Sequence, residues 1–218
     1  MLNLPEVTLL SIVCNDREDY MRMVVRVMNY CMSIVKFRRG ILMTYLPPDI
    51  ECKAECVQIP KISFTEGAQI LQVKTLAYFD LGPWVMHIHE DGFILDPTLW
   101  EPGFMQWDYI GAPWEGGVVG NNGFCMFNRK FMNACAKLPF MYGNLHSDTH
   151  VCIHHRKDMI KQEVMFAPVA VAERFSTETT GQRKPSFGFH GRLHCNNKYR
   201  QGWEQIEAFE QNQSSDAA

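Results

Sequence analysis

The chain has 218 residues and a formal net charge of −3, from 21 basic and 24 acidic side chains, so no overall positive field draws it to nucleic acid or to an anionic membrane. Its hydrophobic content of 46% is enough to bury one substantial core. The longest apolar runs, such as 23–28, fall far short of the ~20 residues that cross a bilayer, and no basic-then-apolar leader opens the chain, so a soluble cytoplasmic protein with no membrane span is expected.

The run Val7–Cys14 is β-rich and almost wholly apolar, which suits a strand covered on both faces. From about Tyr20 to Lys36 the apolar side chains recur at helical spacing, with Asp16 or Asp19 as N-cap. Arg38, Arg39 and Gly40 are read as the end of that helix, and Ile41–Leu46 as the second strand, stopped by Pro47 and Pro48. A short strand is expected over Val57–Ile62, then a helix to Ala77 capped by Ser63 or Thr65 with Glu66, then a strand over Trp84–His89. Strand character returns at Phe93–Leu95, and Asp96 opens a turn or short helix. Residues 101–124 carry too many Gly and Pro for long elements. Helices are expected over Phe127–Lys137, over Ser147–Lys161 with Ser147 or Asp148 at the cap, and over Trp203–Gln211, with an irregular stretch after Pro168. Strands alternating with helices indicate an α/β fold with a mainly parallel sheet flanked by helices, as one domain over 1–212 with a disordered tail over 213–218.

In such sheets ligands bind beyond the carboxyl ends of the strands, so Cys14, Asn15, Asp16 and Arg17 should share a crevice with Glu90 and Asp91. The first strand-to-helix turn has neither G-x-G-x-x-G nor G-x-x-x-x-G-K-[ST], which sets aside a dinucleotide dehydrogenase and a P-loop NTPase. Glu90 and Asp91, at a strand end beside Gly92, are hard oxygen ligands with room for a phosphate to approach, or an ordinary acidic turn. His190, between Phe189 and Gly191, suits a metal ligand or a proton donor, or a loop histidine bonded to backbone. Asp148 at a helix start suits a general base or a plain cap. Gly120, Asn121, Asn122 and Gly123 offer positive φ angles and backbone N–H groups for an anion or a sugar, or simply a tight turn. Trp107, Tyr109, Trp114 and Phe124 can stack on sugars or fill the core. A minority reading puts zinc on His146, His150 and His154, spaced by four. The eight cysteines are scattered, only Cys52 and Cys56 lie close enough for a metal clip, and reduced, buried thiols are expected.

In order, Glu90-Asp-Gly, Trp107-Asp-Tyr-Ile-Gly-Ala-Pro-Trp114, Gly120-Asn-Asn-Gly-Phe124, Ser147-Asp148, Phe166-Ala-Pro168, Phe175-Ser-x-Glu178 and Phe187-Gly-Phe-His-Gly191 resemble a family of GT-A-like (Rossmann-related) glycosyltransferase domains, over roughly residues 84–191. The resemblance implies a transferase that uses Mn2+ or Mg2+ and a nucleotide-sugar, most simply a UDP-sugar, with a glycan, a protein or a hydroxymethylated DNA base as acceptor. It assigns metal binding to Asp91 and His190, with Glu90 in second rank, and the base of an inverting reaction to Asp148. Ser147 stands where the family has glutamate and Asn122 where it has glycine. Those departures keep open a second reading, a catalytically degenerate module that binds nucleotide or sugar.

Overall fold

The computed structural model describes residues 1–63, 68–140 and 145–216. The first unit is strand β1 (Leu2–Val13), helix α1 (Glu18–Ile34) and strand β2 (Val35–Thr44), with β2 parallel to β1. Val7 to Val13 are all buried, as a strand covered on both faces requires. Helix α1 buries Met21, Val24, Val25, Val27, Met28, Tyr30 and Cys31. Several boundaries differ from the sequence expectation, β1 among them, which starts at Leu2 rather than Val7. Arg17 occupies the N-cap without a side-chain cap bond, so neither Asp16 nor Asp19 serves there. Arg38, Arg39 and Gly40 lie inside β2, because the chain leaves α1 directly into the sheet at Val35 without a loop.

Strand β3 (Glu55–Gln58) pairs parallel to β2, and β4 (Trp84–Ile88) pairs parallel to β1. Between β3 and β4 the described chain has a helix with wide, π-type turns over Ala68–Thr75; the expected cap at Thr65 and Glu66 lies outside the described residues. Two strands of this sheet went unread in the sequence. They are β6 (Tyr109–Gly111), in a stretch rich in glycine and proline, and β7 (Phe124–Asn128), which follows Gly123 directly. Strand β7 runs antiparallel to β4 and to β6, giving the sheet order β3-β2-β1-β4-β7-β6. Asn128 ends β7 and caps α2 (Arg129–Lys137) by accepting from Phe131 N–H at 3.0 Å, so the helix starts two residues later than its apolar pattern suggested.

A second, small sheet has the order β5-β9-β8, from β5 (Gly92–Ile94), β8 (Ser176–Thr177) and β9 (Gly188–His190). The segment expected as one helix from Ser147 is broken. It has a short turn α3 (Ser147–Thr149), π-type turns over His150–His154, and α4 (Arg156–Lys161), and its N-cap is His146 rather than Ser147 or Asp148. After Pro168 the chain forms α5 (Val169–Phe175), not an irregular stretch. The last helix, α6 (Asn196–Asp216), is longer than its amphipathic pattern and is helical through most of the expected tail. Among its links to α1 are a bidentate pair, Arg26 to Glu210 at 2.7 and 2.8 Å, and a hydrogen bond from Tyr30 to Gln205 at 2.8 Å.

An aromatic cluster welds the small sheet to the main one. Phe124 of β7 stacks on Phe175 at 5.0 Å, Phe93 meets Phe189 edge-on at 5.0 Å, and Trp100 meets Phe187 at 5.2 Å. Tyr109 and Phe124 are therefore core residues, whereas Trp107 and Trp114 stay half-buried. Asp108 is buried too. It accepts from Asn128 Nδ2 at 2.6 Å and from Met165 N–H at 2.8 Å, which ties β6, β7 and the approach to α5 together.

Candidate metal and transferase site

The parallel register sets Leu10 of β1 opposite His87 of β4, so the chain leaving β1 at Cys14 runs level with the Glu90–Asp91 turn. That turn is closed by two backbone bonds between His89 and Gly92, at 3.0 and 3.3 Å. Gly92 in turn pairs with His190 across β5 and β9, which carries a residue a hundred positions away onto the end of β4. The ligand atoms of His89, Asp91 and His190 lie within 4.8 Å of one another, and these residues form the candidate cation cluster among the described residues. Asp91 Oδ1 is 3.5 Å from His190 Nε2, and Asp91 is fixed by accepting Arg192 N–H at Oδ2, 3.1 Å.

His89 was missed in the sequence. The signal was present in part: His87 and His89 alternate at the end of a strand, which sends both to one face, and Asp91 follows in the turn. Glu90, the intervening residue, is turned elsewhere and is outside the cluster. Burial and the charge of Asp91 push its carboxyl pKa up, and it takes a hydrogen bond from Tyr20 on α1. Burial, then Glu90, pushes the Tyr20 phenol up in turn.

Space explains the glycines of Gly120–Gly123 better than backbone conformation does. Neither has a positive φ, which corrects the expectation for this stretch. A Cβ on Gly123 would fall 1.9 Å from His190 Nε2, and one on Gly120 would fall 2.6 Å from both Trp114 and Cys152, so the two positions seat an imidazole and an indole. The stretch is no anion nest either. Gly120 and Asn121 N–H bond to Ala112 O, Gly123 N–H bonds to Asn121 Oδ1 at 3.0 Å, and Asn122 N–H bonds to Asp148.

Asp148 accepts from Thr149 N–H at 2.7 Å as well as from Asn122. Burial raises its pKa; those two bonds and the charges of His146 and His190 offset part of the rise. Beside it lies a partly open, mostly apolar pocket of about 30 Å³, whose polar border is Gln72, His87, Asn122 and Ser147. Asn122 Nδ2 donates to Ser147 Oγ at 2.7 Å and to Gln72 Oε1 at 2.9 Å, so the two departures from the family pattern touch each other. His87 donates from Nδ1 to Asn122 O at 2.8 Å, and burial, with a lesser effect of His190, pulls its pKa down to about 4. His89 is pulled well below the usual range by burial, His87 and His190, and is a neutral imidazole at pH 7.

His190 behaves oppositely. Burial alone would lower its pKa, but the hydrogen bond from its Nδ1 to Glu178 Oε1, at 3.1 Å, and the charges of Asp91, Glu178 and Asp148 raise it. Asp16 and Arg17 sit at the exposed mouth of the crevice, paired with Lys61 and Asp19, and Arg17 feels the charge of Glu90. Cys14 is buried with its thiol on Ser63 O, and Asn15 accepts from Arg17 N–H at 3.1 Å. The other histidines do not assemble. His150 is buried against the ring of His155 while His154 is exposed, which removes the three-histidine zinc reading. All eight cysteines are free thiols, Cys52 and Cys56 included.

Residues 58–190, well over half of the chain, match the family described as "Protein of unknown function (DUF5672)". The chain belongs to that family. No curated protein matches it in sequence. Among solved structures, an active-site mutant of LgtC superposes on the DUF5672 chain with a TM-score of 0.52 at 10% identity, over 92% of this chain and 95% of that one. The apo-form glycosyltransferase GlyE of Streptococcus pneumoniae TIGR4 gives 0.51 at 13% identity, over 94% of this chain and 63% of that one. At such identities the likeness is one of fold, and the fold of this DUF5672 chain is GT-A-like: a mostly parallel sheet flanked by helices in a single domain. No helix among the described residues is long and apolar enough to cross a membrane.

Proposed function

We propose that this protein is a metal-dependent glycosyltransferase that moves a sugar from a nucleotide-sugar, a UDP-sugar in the simplest case, to an acceptor hydroxyl with inversion, acting in the cytoplasm. One observation carries the reading: His89, Asp91 and His190 converge at the carboxyl edge of the sheet, with Asp148 close enough to His190 to feel its charge. The fold, shared with the glycosyltransferase GlyE, supports it.

The donor set fits a divalent cation. Two imidazoles and a carboxylate suit Mn2+ better than Mg2+, which prefers oxygen ligands and retains its waters. A cation held there would offset the charge that develops on a leaving diphosphate. His89 meets the requirement of a neutral nitrogen because burial keeps it unprotonated. Asp148 is the proposed base. Its two backbone donors hold the carboxylate in place, and its raised pKa favours taking a proton from a hydroxyl of a glycan, a protein or a hydroxymethylated base. Asn15 and Arg17, at the mouth beside Glu90, are the proposed contacts to the nucleotide, and Trp114 offers a half-buried ring to a sugar.

The test is release of nucleoside diphosphate from a panel of nucleotide-sugars, with Mn2+ or with chelator. Release with Mn2+ that disappears in Asp91→Ala and in Asp148→Asn is expected. UDP binding without turnover across the panel would overturn the enzyme reading in favour of a binding module.

A further inference from the structure

Glu178 lies outside the ligand cluster and is absent from the chemistry above, yet its position is determined by the fold. Ser176 pairs with Gly188 and Thr177 with Phe189 across the parallel β8 and β9, and one more step of that register sets Glu178 beside His190. The carboxylate is buried, with 8% of the residue exposed. Oε1 accepts from His190 Nδ1 at 3.1 Å, which leaves Nε2 on the side of Asp91 and His89. The other oxygen, Oε2, is sealed from solvent and has no hydrogen-bond partner among the described residues.

Such an oxygen weakens a fold rather than stabilising it, because a buried acceptor has given up water for nothing. Nor do the neighbours compensate. Lys198, the buried cation nearby, donates at 2.7 Å to Thr177 Oγ1, Ser186 Oγ and Lys184 O, and His190 is the ion-pair partner of Glu178 among the described residues. The β8–β9 ladder and the bonds of Lys198 hold this corner together without the carboxylate, whose side-chain bond goes to His190.

We infer that Glu178 is a positioning residue for the metal site: by holding the proton on His190 Nδ1 and fixing the ring, it presents Nε2 to the cation and sets the affinity of the His89–Asp91–His190 cluster. The inference rests on the metal reading of that cluster. Carboxylates that accept the remote N–H of a ligating histidine raise its basicity and lock its orientation, and losing one costs about 10–100-fold in metal affinity.

The experiment is titration of the chelator-stripped full chain with Mn2+, following free Mn2+ by electron paramagnetic resonance, for wild type, Glu178→Gln, Glu178→Ala and Asp91→Ala, with Tm of each metal-free protein. Affinity should fall about 10–100-fold in Glu178→Ala, and less in Glu178→Gln, which keeps an acceptor of similar size but drops the charge and should hold the wild-type Tm. Wild-type affinity in both Glu178 variants overturns the inference alone. So does a loss of affinity in Glu178→Gln accompanied by a matching loss of Tm, which is the mark of a structural role. Failure of the wild type to bind Mn2+, or equal binding by Asp91→Ala, overturns the metal reading and this inference with it.

Discussion

The two ends of the crevice follow neighbouring parallel strands, β1 and β4, but are held by different means. Asp16 and Arg17 are exposed, and their pairs with Lys61 and Asp19 are of the kind that solvent and salt screen almost to nothing. His89, Asp91 and His190 are held by paired backbone, by Arg192 N–H on Asp91, and by an imidazole lying in the notch left at Gly123. The contrast teaches a division of labour. The proposed metal end is held in place before any ligand arrives, as ligands of a cation must be, whereas the proposed nucleotide end is an open surface whose side chains are free to reorient.

Breaking the rigid end should have the largest effect. Gly123→Ala would drive a methyl into His190 Nε2, and displacing a positioned group by even ~1 Å costs about 100-fold in rate. Donor turnover should collapse together with Mn2+ affinity, which a turnover assay and the Mn2+ titration check in parallel. His89→Ala should lose Mn2+ binding as completely as Asp91→Ala, and an unaffected variant would return Glu90 to the ligand set. Glu90→Gln, by contrast, should leave Mn2+ affinity unchanged, since that carboxyl faces Tyr20.

The open end should respond differently. Arg17→Ala is expected to raise KM for the donor with Mn2+ affinity and Tm unchanged, because its ion pair with Asp19 is exposed. Initial rates over a donor range separate KM from kcat; a fall in kcat alone would move Arg17 into the catalytic machinery.

The smallest effect concerns Lys198, whose pKa burial pulls down to about 8 from the usual 10.5. Between those values the unfolded chain binds more protons than the folded one, so this group makes stability rise with pH from about 8 to about 10.5. In Lys198→Met, the change in Tm between pH 8 and pH 10 should be less positive than in the wild type. An identical change in both would show that Lys198 carries no such linkage.

Periodicity made the rigid scaffold legible and the site only partly so. The long apolar run of β1 and the helical spacing of α1 are produced by burial on a large surface, and they read correctly to within a few residues at most ends. Strands β6, β8 and β9 have three residues or fewer, too short for any period to show, and β7 merged in the reading with the helix that Asn128 caps. Asp91 and His190 came from motifs, whereas His89 needed the observation that alternate residues of a strand share a face. Gly123 is a different lesson. In sequence it suggests a turn, and only the fold shows that its missing side chain is the seat of His190. Nothing in the sequence announced that Glu178 would lie beside that imidazole, since the contact depends on the register of two very short strands.

A cation held by His89, Asp91 and His190 to receive a nucleoside diphosphate would be seen in calorimetric titration of UDP into chelator-stripped protein. UDP should bind in the presence of Mn2+, fail to bind in its absence, and fail to bind His89→Ala under either condition. Equal binding with and without Mn2+, or undiminished Mn2+-dependent binding by His89→Ala, would contradict it.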